Sequence, residues 1–336
     1  MQTYPNFCVC VYDNASGDET ESVVRELMKY DSRVRYIQRP ENIGGLRNFD
    51  DAMRRVSTPF FSVLSDDDAV LPNFFELALG GFTKNPQAAF SATTTLEIDP
   101  QGRIHHAYLL HWLPGVYPPP EGVLAILEHG QPSLPGILFR REVFDEVGYV
   151  DETMGNPWDW DLELRLAARF PIVVSRAPGA LFSIHAQSKS SYEKVDDIFP
   201  AWLRLLQKLR MNQDIPPGPR GRAVQVLYRR IQKRLYRGAW WDIGHGEWSE
   251  VEKAIAVLSG YLNVGRRAGV LRTMARCCRR LPPVRLGLLA LFHLRSRYVN
   301  LAYYLRSGRL DLGPSLDYHD FSQVFFDFLL SLGLRL

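Results

Sequence analysis

Short apolar runs that alternate with helical patterns over the first 70 residues constrain the fold most strongly. The runs cover residues 7–12, 34–37 and 60–64, and each one ends at polar residues. Between them, apolar side chains recur at the three- and four-residue spacing of a helix. Continuously apolar strands separated by helices are typical of a sheet that is covered on both faces. The sequence therefore predicts an α/β fold with a mostly parallel sheet.

Acidic residues follow two of these predicted strands. Asp13 closes the first run, and Asp66, Asp67 and Asp68 follow the third. Ligands of open α/β sheets bind beyond the carboxyl ends of the strands. Three adjacent carboxylates repel one another unless a cation is present, and carboxylate oxygens suit Mg²⁺ or Mn²⁺. The run is interpreted as a metal site, with a solvated acidic loop or a cap for the helix near Pro72 as the alternative.

A second cluster interleaves two carboxylates, Asp159 and Asp161, with two tryptophans, Trp158 and Trp160. An apolar surround raises the pKa of a carboxyl group toward the range of a general base. Tryptophan faces also stack well on sugar rings. The alternative is a helix start at Pro157, where acidic residues in the first turn favour the helix dipole and the tryptophans pack in the core.

One histidine follows an apolar run in a position where it could act as a metal ligand. His185 stands just after residues 180–182. Histidine is a common metal ligand, although a lone histidine is more often a hydrogen-bonded core residue. Both interpretations stay open from the residues alone.

The distribution of charge divides the chain into two parts. Residues 1–200 carry a net charge of −11 and residues 201–336 a net charge of +14. A segment with several prolines and glycines lies near the boundary, at 214–221. We therefore expect a catalytic domain over 1–200, a linker over 201–222, and a basic, mainly helical region over 223–336 with helices at 223–240 and 266–306.

The basic region leaves two interpretations of its partner open. It either contacts an anionic membrane surface as a peripheral element, or it docks on the acidic catalytic half. No nucleic-acid-binding module is recognisable, so no nucleic-acid partner is expected. The start of the chain lacks the pattern of a signal peptide, and the most apolar stretch of the tail, 286–294, is about half a membrane span. These features predict a cytoplasmic protein, with the inner face of the membrane as the site of any peripheral contact.

Five sequence blocks together carry a resemblance to one family. In chain order they are YPNF with the following residues to Thr20, RPENIGGLRN at 39–48, LSDDDAVLP at 64–72, FRREVF with Val147-Gly148, and WDWDL at 158–162. Their content and order resemble the family 2 glycosyltransferases of the GT-A fold over about residues 2–195. The resemblance implies a Rossmann-like nucleotide-sugar domain that requires a divalent metal.

The resemblance implies a role for each matching residue. Asp13 and Arg47 resemble residues that line the nucleotide pocket, and Asp66 matches a carboxylate directed at the ribose. Asp67 or Asp68 matches the metal ligand of the DXD motif, which holds Mg²⁺ or Mn²⁺ on the diphosphate. The remaining roles are general base for Asp159, acceptor contact for Trp158, Trp160 and Asp161, and closure of the diphosphate and metal site for His185.

The implied reaction is an inverting single displacement. A UDP-, GDP- or dTDP-sugar would be the donor, and a glycan or lipid-linked hydroxyl would be the acceptor in polysaccharide or cell-surface glycan synthesis. Two other functions are weighed against this one. The first is a glycosyltransferase-like protein that binds ligands or acts as a scaffold without turnover. The second is a Mg²⁺ enzyme of phosphoryl chemistry, which is disfavoured because this sequence contains neither a P-loop nor an aspartyl nucleophile motif.

Two features depart from the pattern of the family. Trp158 stands where the family usually has glutamate, which alters the surroundings of the expected base. The YPNF block is the end of the family's first helix, so the opening strand and helix are expected to be absent. A start upstream of Met1 and a repurposed copy are both compatible with that expectation.

Overall fold

The computed structural model describes residues 2–185 and 194–290. Its strands are β1 (Val9–Asp13), β2 (Val34–Gln38), β3 (Phe60–Phe61), β4 (Ala69–Val70), β5 (Phe90–Ile98), β6 (Ile104–Ala107), β7 (Gly115–Tyr117), β8 (Ile137–Arg140) and β9 (Ile172–Ser183). Its helices are α1 (Thr20–Tyr30), α2 (Gly45–Arg54), α3 (Phe74–Lys84), α4 (Glu121–His129), α5 (Val143–Val147), α6 (Trp158–Arg169), α7 (Val195–Met211), α8 (Pro217–His245), α9 (Trp248–Gly260) and α10 (Gly265–Arg280). Two 3₁₀ turns, Leu134–Gly136 and Glu152–Met154, precede β8 and α6.

The strands form two sheets. β1 and β2 pair in parallel as a two-stranded sheet, and the other seven form a sheet of order β3–β8–β5–β9–β4, with β6 on β5 and β7 on β9. Among the described strands of the larger sheet, β5 and β9 pair in parallel, whereas the other five pairings are antiparallel. The α/β class is therefore confirmed, but the sheet is mixed rather than mostly parallel. The apolar runs at 7–12 and 34–37 form the parallel β1–β2 pair, in which Asp13 alone is buried. A buried strand reads as a continuous apolar run whichever way its neighbours run, so such a run does not fix strand direction.

Helices cover both faces of the larger sheet. Along β8, Ile137 and Phe139 belong to the large core, whereas Leu138 belongs to a smaller core with Phe74 and Phe82 of α3. This alternation is the two-residue period of a strand whose two faces are both buried. α4 and α6 pack with the large core on the other side. The carboxyl ends of β5 and β9, which run in parallel, consequently open at one edge, where a ligand can enter.

The C-terminal helices belong to the same core as the catalytic half. Leu205 of α7, Leu227 of α8 and Leu271 of α10 are buried in the large core. Arg222 of α8 forms an ion pair with Glu128 of α4 at 2.7 Å. The docked interpretation of the basic region is therefore what the structure shows for residues up to 290. The part of the predicted 266–306 helix beyond residue 290 lies outside the described residues.

The predicted linker at 201–222 is mostly helical. α7 extends to Met211 and α8 begins at Pro217, so the connection is limited to residues 212–216. Proline at the first position of a helix costs no hydrogen bond, because that amide has no partner within the helix. The prolines of this segment thus mark the start of α8, whereas composition alone predicts a linker.

The shared core gives a prediction about unfolding. Leu227 is fully buried, and we expect Leu227→Ala to lower the free energy of unfolding by about 2–5 kcal/mol, because truncation of a buried leucine leaves a cavity. Thermal unfolding followed by circular dichroism should show one cooperative transition at a lower midpoint. Leu281→Ala, at a half-exposed position, is the control and should change stability by less than about 0.5 kcal/mol. Two separate transitions, with only one of them shifted, would contradict a common core.

Candidate active site

Asp13 ends β1 and is nearly buried, with 5% of its surface exposed. Its Oδ1 accepts hydrogen bonds from the Ser16 amide at 2.9 Å and from the Ser16 hydroxyl. The Tyr36 hydroxyl donates to its other oxygen. These donors, Ser16 first, hold the pKa of Asp13 below its usual value. Asp13 is thus an ionised, fixed carboxylate at a strand end, where the sequence predicts the nucleotide pocket.

Arg47 lies on the exposed side of α2 and reaches toward α6. Its Nε donates to Glu152 Oε2 at 2.7 Å, and Glu152 belongs to the 3₁₀ turn just before α6. This hydrogen bond raises the pKa of Arg47. Both side chains are largely exposed, so the pair is open to solvent and to an incoming ligand. The pair thus joins α2 to the turn just before α6.

The three consecutive aspartates lie in the loop between β3 and β4, and they face β9. Asp67 Oδ2 lies 3.0 Å from His185 Nε2, and Asp68 Oδ1 accepts the Ser183 amide at 2.9 Å. Burial raises the pKa of Asp68 to about 6, the Ser183 amide opposes this shift, and the charges of Asp67 and Asp66 add to it. Asp66 is exposed. The structure therefore brings Asp67 to His185, whereas Asp68 is directed at the Ser183 amide.

These residues suit a hard divalent cation that keeps other ligands. Among the residues that the structure describes, no group of three or more His, Cys, Asp and Glu side chains is gathered closely enough to hold a metal ion. Mg²⁺ and Mn²⁺ use one or two protein carboxylates and complete their coordination with substrate phosphates and water. The Asp67 carboxylate and the His185 imidazole, which face each other, match that requirement.

Asp159 lies in the first turn of α6 and is partly buried. Its Oδ2 accepts the Gln131 side-chain amide at 2.6 Å, and its Oδ1 accepts the Trp160 amide at 2.8 Å. Burial raises the pKa of Asp159, and the hydrogen bond from Gln131 opposes this shift. A carboxylate with an elevated pKa and an exposed edge has the properties that a general base needs.

The two tryptophans of this cluster differ in their contacts. Trp158 stacks on Phe49 of α2, with ring centroids 5.7 Å apart. Trp160 packs edge-on against Trp202 of α7 at 5.4 Å, and the guanidinium of Arg230 lies over its ring. Both tryptophans are partly exposed, so each one joins α6 to a neighbouring helix while part of its surface stays open to solvent.

Asp161 does not share the surroundings of Asp159. It is 2% exposed and forms ion pairs with Arg165 at 2.8 Å and Lys208 at 2.7 Å. Its carboxylate is therefore occupied by cations on α6 and α7. The sequence-based placement of Asp161 on the acceptor side does not agree with this position, because a two-residue step on a helix turns a side chain by about 200°.

Two residues that sequence reasoning does not single out lie near the end of β5 and just after β6. Glu97 near the end of β5 faces the Tyr108 hydroxyl, and both side chains are partly buried. The pKa of Tyr108 is raised by burial first, and then by the charges of Glu97, Asp159 and Asp68. The turn at 99–102 could have shown that β5 and β6 form a hairpin, which places Glu97 diagonally opposite Tyr108.

Another carboxyl group is buried one helical turn after the expected base. Glu163 is 1% exposed, and neither of its carboxyl oxygens has a hydrogen-bond partner among the described residues. Burial, and then the charge of Asp159, raises the pKa of Glu163 well above its usual value. An acid with a raised folded-state pKa destabilises the protein as the pH rises above its unfolded pKa, because the folded state must either keep the proton or bury a charge.

Glu163→Gln is therefore expected to stabilise the protein by about 1–3 kcal/mol at neutral pH. The gain should shrink below about pH 4, the pKa of a glutamate in the unfolded chain. Urea unfolding at several pH values measures both effects. Glu252→Gln, at an exposed ion pair with Arg279, is the control. A gain that does not depend on pH would show that the charge of Glu163 has no part in it.

Comparisons with known proteins bear on the family and the fold. Residues 1–148 match the family described as Glycosyl transferase family 2. The chain is 28% identical over 168 residues to a chondroitin synthase of Escherichia coli. The matched segment covers 49% of this chain and 23% of that protein. The chain thus spans about a quarter of the length of this relative.

Solved structures show the same fold. Residues 1–349 of TarS from S. aureus in complex with UDP-GlcNAc match with a TM-score of 0.59 at 16% identity, over 83% of this chain and 85% of that one. The complex of the same TarS fragment with UDP gives a TM-score of 0.57 at 15% identity, over 83% and 84%. The fold is therefore GT-A-like, and residues 1–148 are similar to the family 2 glycosyltransferases.

Proposed function

We propose that this chain is a metal-dependent, inverting glycosyltransferase that moves a sugar from a nucleoside diphosphate to a hydroxyl group of a glycan or lipid-linked acceptor. The observation that carries the proposal is the contact of the Asp66–Asp68 loop with the end of β9, where Asp67 Oδ2 lies 3.0 Å from His185 Nε2 and Asp68 Oδ1 accepts the Ser183 amide. Carboxylates and an imidazole at the end of a strand could hold a cation that binds a diphosphate. Asp159, whose pKa is raised by burial, would be the base of the single displacement.

The donor side of the proposed site consists of the strand-end residues. Asp13, Arg47 and Asp66 would bind the nucleoside of a UDP-, GDP- or dTDP-sugar. Asp67, Asp68 and His185 would hold Mg²⁺ or Mn²⁺, which supplies charge stabilisation for the departing diphosphate. The TarS fragment with UDP-GlcNAc and the name of the chondroitin synthase relative support a nucleotide-sugar donor.

The base side of the proposed site is the start of α6. Asp159 would accept the proton of the acceptor hydroxyl while that oxygen attacks the anomeric carbon. The Gln131 side-chain amide donates a hydrogen bond to one oxygen of Asp159, and the Trp160 backbone amide donates to the other. These two bonds hold the carboxylate in a fixed orientation. Trp158 and Trp160 would provide apolar faces for the acceptor sugar.

The acceptor and its location form the finer part of the proposal. We place the reaction in polysaccharide or cell-surface glycan synthesis in the cytoplasm. No helix among residues 2–185 and 194–290 is long and apolar enough to span a membrane. A lipid-linked acceptor would be met through peripheral contact, for which Arg266, Arg272 and Arg276 on the exposed side of α10 supply positive charge.

Release of nucleoside diphosphate tests the proposal. The chain is incubated with Mn²⁺ and each of a set of UDP-, GDP- and dTDP-sugars, with water or a mixture of oligosaccharides as the acceptor. We expect release from donors of one base and loss of that release in EDTA. Binding of a nucleotide-sugar without any release would instead favour the non-catalytic binding protein, and no binding at all would contradict a nucleotide-sugar site.

A further inference from the structure

The pair formed by Glu97 and Tyr108 lies at the edge where β5 and β9 end. Glu97 pairs in register with Phe182 of β9 on one side and with His106 of β6 on the other. The Tyr108 ring contacts the rings of His106 at 5.1 Å and Phe182 at 6.4 Å. Glu97 therefore lies on β5 and Tyr108 lies in the turn just after β6, and neither side chain is fully covered.

The pair lies beside the metal side of the proposed site. Phe182, the strand neighbour of Glu97, is followed by Ser183, whose amide donates to Asp68 at 2.9 Å. This contact places Asp68 next to the pair. The charges of Glu97, Asp159 and Asp68 add to the effect of burial in raising the pKa of Tyr108. Glu97 and Tyr108 thus lie beside the residues that would hold the diphosphate, where the transferred sugar would begin.

We propose that Glu97 and Tyr108 bind hydroxyl groups of the transferred sugar. This inference rests on the proposed function, because a single displacement puts the donor sugar between the leaving diphosphate and the base. A partly buried carboxylate accepts hydrogen bonds from sugar hydroxyls, and a tyrosine hydroxyl can both donate and accept. Hydrogen bonds to a charged group in such a setting discriminate strongly between ligands.

The charge of this subsite selects a class of sugar. Glu97 and Asp68 both lie at this edge, because Phe182, the strand neighbour of Glu97, precedes Ser183, whose amide donates to Asp68. After burial, the charges of Glu97, Asp159 and Asp68 raise the pKa of Tyr108. A uronate would bring a further carboxylate next to these acids, and like charges in close contact are strongly unfavourable. The structure therefore points to a neutral hexose or N-acetylhexosamine as the transferred sugar.

Titration calorimetry in Mn²⁺ tests the inference by comparing a nucleoside diphosphate with its sugar conjugates. The ligands are UDP, UDP-glucose, UDP-N-acetylglucosamine and UDP-glucuronate, with GDP and GDP-mannose as a second series. The variants are Glu97→Gln and Tyr108→Phe. Glu252→Gln and Tyr228→Phe, which change an exposed ion pair and a hydroxyl bonded to the Leu262 carbonyl, are matched controls in the helical region.

We expect the wild-type chain to bind a neutral nucleotide-sugar at least about tenfold more tightly than the uronate conjugate. Each site variant should lose on the order of tenfold in affinity for the neutral conjugate, and affinity for the nucleoside diphosphate alone should change by less than about twofold. Glu97→Gln should also reduce the difference in affinity between the neutral and the uronate conjugates.

Two outcomes would overturn the inference while leaving the proposed function intact. The first is a wild-type chain that binds the uronate conjugate as tightly as the neutral ones. The second is a pair of variants that keep their affinity for the sugar conjugate, or that lose affinity equally for the nucleoside diphosphate. A wild-type chain that binds none of the nucleotides would instead reject the proposed function, and the subsite with it.

Discussion

Replacement of Asp159 by asparagine is expected to lower the rate of sugar transfer by about 10²–10⁴-fold, the usual contribution of a general base. Asparagine keeps the size of the side chain and can still interact with Gln131, but it cannot accept a proton from the acceptor. Affinity for the nucleotide-sugar should stay within about twofold of the wild-type value. Initial rates at saturating donor measure the first effect, and calorimetry measures the second.

The pH dependence of the same reaction gives an independent readout. Transfer needs Asp159 in its ionised form, and burial raises the pKa of Asp159. The wild-type rate should therefore rise with pH through an acidic limb that lies above the ordinary range of aspartate, about pH 4. Asp159→Asn should lack that limb. Asp145→Asn, at an exposed ion pair with Arg141, is the control, and a rate loss of similar size in the control would contradict the assignment.

Replacement of Asp67 by asparagine is expected to remove the metal dependence of nucleotide binding. In the wild-type chain, Mn²⁺ should strengthen nucleoside diphosphate binding by about tenfold or more, because Asp67 would hold the cation and the cation would supply positive charge to the phosphates. Without Mn²⁺, wild type and Asp67→Asn should bind alike. Asp67 is largely exposed, so the substitution should leave the fold intact.

His185→Ala distinguishes the contribution of His185 to the proposed cation site from that of Asp67. His185 lies 3.0 Å from Asp67, so its loss should weaken the effect of Mn²⁺ to a smaller extent than the loss of Asp67. Calorimetry with and without EDTA measures both variants. An unchanged response to Mn²⁺ in Asp67→Asn would mean that the cation, if used, is held elsewhere in the chain.

The order of strands and helices could be predicted from the sequence because it depends on local patterns. Apolar runs and helical spacing predicted β1, α1, β2 and α2. Strand direction could not be predicted in this way, because a run such as Ile137–Arg140 is equally apolar in a parallel and in an antiparallel neighbour. The direction is set by where the connections leave the sheet.

The candidate site shows the same division between local and long-range information. The acidic clusters were visible because identical or alternating residue types stand together in sequence. The ion pair of Asp161 with Lys208 could not be predicted, because Lys208 lies 47 residues away on α7. Glu97 and Tyr108 stand singly in the sequence, and only the β5–β6 pairing and the charges of Asp68 and Asp159 give them a place in the site.

The anomalous scattering of manganese in crystals of this chain grown with Mn²⁺ and a nucleoside diphosphate tests the central claim most directly. That claim is that the cation and the base flank one space at the ends of β5 and β9. The account predicts one strong peak bonded to the Asp67 carboxylate and adjacent to His185, with the diphosphate between this peak and Asp159. A peak at another site, or a diphosphate bound away from Asp67 and Asp159, would contradict it.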